Sequence, residues 1–105
     1  MPVASKEWEH GENAYKELSM CVFDAINNDE PDVATICAYG LLHLAQAEKG
    51  SYWGYKGAYN YNTAMETVKT ALRFIKEKGG VGMWLEKMYK EMLEEYEKET
   101  GMKIR

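Results

Sequence analysis

Apolar residues recur at helical spacing along most of this chain and divide it into four segments. From about Ser5 to Asn27, Trp8, Gly11, Tyr15, Leu18, Val22 and Ala25 follow one another at alternating steps of three and four. That stripe predicts an amphipathic helix facing a partner, with Ser5 as its N-cap. Asn27-Asn28-Asp29-Glu30-Pro31 interrupts the pattern. Asp29 is expected to cap a second helix, and Pro31 suits its first turn, where a missing N–H costs little.

The second helix, about Glu30 to Lys49, carries Val33, Ile36, Cys37, Gly40, Leu41, Leu44 and Ala47 on one side, and Ala34, Ala38, Leu42 and Ala45 on another. A helix apolar nearly all round is expected to be the buried central one, and its small residues let neighbours approach closely. The third runs from about Thr63 to Lys78, with Thr63 and Glu66 as an expected capping box and Met65, Val68, Leu72 and Ile75 as its apolar face. Gly79-Gly80 should end it. The fourth is predicted over about Val81 to Thr100, with Trp84, Leu85, Met88, Tyr89, Met92, Leu93 and Tyr96 turned inward and Gly101 as its stop. Short connections make most neighbours antiparallel. The pattern predicts an all-α, compact four-helix bundle, residues 1–105 forming one domain, with a Gly- and aromatic-rich connection between helices 2 and 3.

Composition agrees with this division. Ala, Glu, Lys, Leu and Met make up 49 of 105 residues, whereas Val, Ile and Thr together supply 14, which argues against a β-sandwich or barrel. Charge adds a second asymmetry. Residues 1–32 hold eight acids and two lysines, and residues 63–80 hold four bases and two acids; opposite charges on neighbouring helices would pair these segments within the fold. A net charge of −4 disfavours binding driven by a nucleic-acid backbone. No apolar run is long enough for a membrane span, no basic and apolar leader opens the chain, and a cytoplasmic location is expected.

The chemistry on offer is sparse. Glu7-x-x-His10 has the spacing of a carboxylate di-iron site, but His43 has Gly40 three residues before it, so the required second copy is missing and no metal is expected. His43 reads as a core or edge residue. No serine lies in a nucleophile elbow and no phosphate-binding glycine loop is present, so neither enzymatic activity nor a cofactor is expected. Cys21 and Cys37 lie eight residues either side of Asp29, at similar height on a hairpin. Helix axes 8–10 Å apart commonly hold such cysteines beyond disulfide range, so buried, inert thiols are the expectation.

Residues 50–62 stand out, with Tyr52, Trp53, Tyr55, Tyr59 and Tyr61 set among Gly50, Gly54 and Gly57. Tyrosine and tryptophan give large contact area with few rotamers to freeze, which suits a binding surface. The same residues would also serve as a lid on the bundle, or as a helical continuation with its three glycines on one face. The leading functional expectation is a non-enzymatic protein–protein interaction module, a regulator or inhibitor of a larger protein, with those five aromatics as partner-binding anchors. Alternatives are a small-molecule or nucleotide-binding bundle and a homodimer built on the aromatic patch. A third is an acidic inhibitor whose Glu9, Glu12, Glu17, Asp24, Asp29, Glu30 and Asp32 occupy a basic cleft. The ridge Lys69, Arg73 and Lys76 reads as a solvated face rather than a phosphate-binding stripe.

Overall fold

The second helix, Pro31–Glu48, is the element around which the other three gather. The computed structural model describes the backbone of residues 2–50 and 57–104, and the side chains of residues 12–50 and 57–104. It is an all-α four-helix bundle, with no strand among the described residues. Helix α1 spans Pro2–Asn27, α2 Pro31–Glu48, α3 Tyr61–Glu77 and α4 Glu86–Thr100, the last entered through a single 3₁₀ turn at Met83–Leu85.

Helix α2 earns its place by a stripe of small and branched residues. Ala34, Thr35, Cys37, Ala38, Leu41, Leu42 and Ala45 are buried. Leu72 and Ile75 of α3, Tyr15 and Val22 of α1, and Met92 and Tyr96 of α4 meet them in one core. Each fully buried large apolar side chain contributes about 1.5–3 kcal/mol relative to exposure, so this core dominates the stability. The buried hydroxyls of Thr35 and Thr67 are satisfied locally, donating to the carbonyls of Pro31 and Thr63 at 2.8 and 3.0 Å. One expectation changes here: α2 is central but not buried all round. Val33, Ile36, His43 and Ala47 lie on its outward side and are exposed.

Helices α1 and α2 form a tight hairpin. Asp29 adopts a left-handed conformation (φ 58°) that closes α1, with Glu30 N–H donating to the Ala25 carbonyl at 2.8 Å. Asp29 therefore does not cap α2; Glu30 occupies that position without a side-chain cap, and Pro31 opens the helix as expected. Gly40 lies against Leu18, where an added Cβ would stand 3.4 Å from a methyl group. This close approach brings Cys21 and Cys37 to a Cα separation of 5.9 Å, and the two are joined by a disulfide. The expectation of inert thiols is thus corrected. Gly40, with no side chain, lets Leu18 pack against the backbone of α2, and the Cα atoms of the two cysteines fall within disulfide range.

Helix starts also differ from the sequence reading. Asn60, not Thr63, caps α3: its side chain accepts from the N–H groups of Asn62 and Thr63, and the Thr63 hydroxyl accepts from Asn60 N–H. Gly79 and Gly80 end α3 with positive φ, and Gly101 ends α4 in the same way. The fourth helix begins at Glu86 rather than near Val81.

Polar rungs join α2 to α4 along one edge. Tyr39 donates to Glu91 at 3.1 Å and Gln46 to Glu95 at 3.1 Å, while Lys49 pairs with Glu99. Glu99 also accepts from the Tyr61 hydroxyl at 3.0 Å. The Lys49 hydrogen bond, supported by that of Tyr61, outweighs burial and holds the Glu99 carboxyl below its ordinary value of 4.5. A carboxylate with a depressed folded pKa stabilises the fold above its unfolded value and loses that contribution as pH falls through the folded one. Glu99→Gln should therefore cost about 1 kcal/mol near neutrality. The gap between the two proteins should shrink as pH falls below about 4.5 and close once the pH has passed the lowered folded-state value. Urea titrations at a series of pH values check this, and a gap that does not vary with pH would refute it.

Candidate functional site

The connection between α2 and α3 only partly lies within the described residues. Tyr52, Trp53 and Tyr55 fall outside them. Tyr59 and Tyr61 are half-buried and packed against the core, so these two of the five aromatic candidates brace the start of α3. The helical-continuation reading is corrected at both flanks, because α2 ends at Glu48 and both Gly50 and Gly57 have left-handed φ values, 82° and 76°. Glu12 of α1 accepts from the Ala58 N–H at 2.9 Å, and a Cβ on Gly57 would fall on that same carboxylate. Gly57 is therefore required twice over, by its backbone and by Glu12.

Among the described residues, exposed apolar side chains also cluster on two other surfaces. The first is the turn before α4, where Met83 is 88% exposed and Trp84 73%. The turn itself is held firmly. Asp32, in the first turn of α2, accepts from Gly82 N–H at 2.9 Å; Leu85 N–H donates to the Gly82 carbonyl at 2.9 Å; and the Leu85 side chain is buried. The pyrrole edge of Trp84 lies 3.5 Å from where a Gly82 Cβ would stand. The inward placement expected for Trp84 is corrected by this geometry. The 3₁₀ turn sends Leu85 to the core, and Trp84, one residue earlier, points away. The signal that separates them is register: Leu85, Met92 and Tyr96 follow at steps of seven and four, and Gly82 delays the start of the helix.

The second surface is a groove between α1 and α2, with a cavity of about 310 Å³. Met20, Cys21 and Val33 line it, together with the carboxylate-bearing Glu17, Asp24 and Glu30. Met20 is 46% exposed; Phe23 and Ile36, one helical turn from Met20 and Val33, are 45% exposed each. Sequence reasoning followed the core stripe of α1 and passed over a second one, Glu17-Met20-Asp24, whose steps of three and four place it on another face.

The acids of residues 1–32 divide in their use. Glu12 holds the 57–58 turn, Asp32 holds Gly82, and Asp29 pairs with Lys78 at 2.5 Å. Glu17, Asp24 and Glu30 form no ion pair with a described residue. Of the expected pairing between the acidic and basic segments, Asp29–Lys78 is realised. Lys76 turns the other way, toward the C-terminal tail, donating to the Ile104 carbonyl at 3.4 Å.

His43 is exposed, and Tyr39 lies beside it with ring centroids 4.3 Å apart. Burial and the hydrogen bond to Glu91 both raise the Tyr39 pKa, the hydrogen bond more strongly. Among the described residues no three His, Cys, Asp or Glu side chains gather as a metal site, and no helix is long and apolar enough to cross a membrane. The chain matches no protein-family model, no curated protein and no solved structure.

Proposed function

We propose that this protein is a non-enzymatic helical interaction module that binds another protein through the turn carrying Met83 and Trp84. The observation that carries the reading is the exposure of those two side chains on a backbone that is otherwise tied down. Solvent-exposed tryptophan gains the bundle little, whereas tryptophan is among the residues that contribute most when a partner desolvates them. The Gly82–Asp32 hydrogen bond and the buried Leu85 fix the turn in advance, so little ordering entropy would be lost on association.

The test compares the proteins retained by the wild type and by a Met83→Ala, Trp84→Ala variant. Loss of specific partners is expected, with melting behaviour within about 0.5 kcal/mol of the wild type because neither side chain is in the core. An unchanged set of retained proteins would refute the role of this turn. The parallel variant Trp53→Ala, Tyr55→Ala assigns or denies a share of the binding to the aromatic connection.

A further inference from the structure

We propose that the groove between α1 and α2 receives a basic amphipathic helix of another protein. The inference stands apart from the Met83–Trp84 turn and does not depend on it. Three observations converge on it. The floor is apolar and accessible, formed by Met20, Val33 and the half-buried Cys21. Its rim carries Glu17, Asp24 and Glu30, none of them used in an ion pair with a described residue, whereas Glu12, Asp29 and Asp32 each hold part of the fold. The Cys21–Cys37 bond fastens one wall to the other, so the groove keeps its width before any partner arrives.

Size and charge select the occupant. A cavity of about 310 Å³ lies at the bottom of the range for small-molecule sites and suits one or two large apolar side chains. Along α1 the lining runs from Glu17 to Asn28, which corresponds to about 16 Å, or three turns of a docked helix. A helix with apolar anchors at i, i+3 or i+4, and i+7 would seat them on Met20 and Val33 and set its flanking Lys and Arg against the three carboxylates. A second copy of this chain fits less well, because a twofold contact would press one acidic rim against another. Nucleic acid carries the wrong sign.

The test uses a fluorescein-labelled Leu/Lys peptide of about 18 residues with a helical apolar stripe, and a scrambled peptide of equal composition, read by anisotropy. The striped peptide should bind at least about tenfold more tightly than the scrambled one. Met20→Ser with Val33→Ser, which keeps the rim, should lose about tenfold, and so should Glu17→Lys with Asp24→Lys and Glu30→Lys, which keeps the floor. The charge-reversed protein should in turn prefer a Leu/Glu peptide. Circular dichroism confirms that each variant remains helical, and the two variant sets damage different parts of the groove. Equal binding of both peptides, no binding of either, or binding unaffected by charge reversal overturns the proposal. A wild-type dimer that the Met20→Ser, Val33→Ser variant converts to monomer, seen by sedimentation, also overturns it, because the occupant is then a second copy.

Discussion

Breaking the Cys21–Cys37 bond is expected to destabilise the protein by about 3 kcal/mol and to lower its melting midpoint by roughly 15 °C. The cross-link spans 16 positions, and most of its effect is to shrink the unfolded ensemble by closing that loop. The reduced protein should still fold, because Tyr15, Val22, Leu41 and Leu42 remain buried in the common core. Thermal melts with and without reductant, alongside a Cys21→Ser, Cys37→Ser variant, measure the effect. Melting within about 1 °C of the oxidised protein in both cases would show that the bond contributes nothing to stability.

A second large effect is expected from two substitutions on the same helix that composition alone would rank together. Leu41→Ala should cost about 3 kcal/mol, since its side chain is fully buried where α1, α3 and α4 meet α2 and truncation leaves a cavity. Ile36→Ser should change stability by no more than about 0.5 kcal/mol, because that side chain is nearly half exposed. Urea denaturation of both variants gives the comparison. An Ile36→Ser cost approaching that of Leu41→Ala would mean that Ile36 is covered in solution, by a partner or by a second copy.

The contrast between Leu41 and Ile36 marks how far the linear pattern reaches. Four helices, their order and the two glycine stops at residues 79 and 101 were legible, because helical periodicity and left-handed glycine are local properties. The helix starts were less legible. Asn60 and Thr63 are both good capping residues three positions apart, and it is Asn60 that caps α3, with Thr63 as the reciprocal partner of its capping box. Trp84 differs for a related reason: Gly82, bonded to Asp32, opens a 3₁₀ turn that sends Leu85 to the core as expected and leaves Trp84, one residue earlier, facing out. The candidate site suffered most. Glu17, Met20 and Asp24 can be read as a stripe, but Val33 and Glu30 come to face them across a groove, and that is a fact about the hairpin.

By itself, the sequence determined the helical class, the number of segments and the centre of the core at Tyr15, Val22, Leu41, Leu72, Ile75, Met92 and Tyr96, because each follows from spacing within one helix. Tertiary structure alone decided which apolar residues were left over. It also decided that Cys21 and Cys37 are joined, and that three acids of the N-terminal third remain around an apolar floor while three others hold the fold. Those outcomes depend on the distance between helices. At Gly40, which has no side chain, the Leu18 methyl groups pack directly against the backbone of α2, and that lets α1 approach.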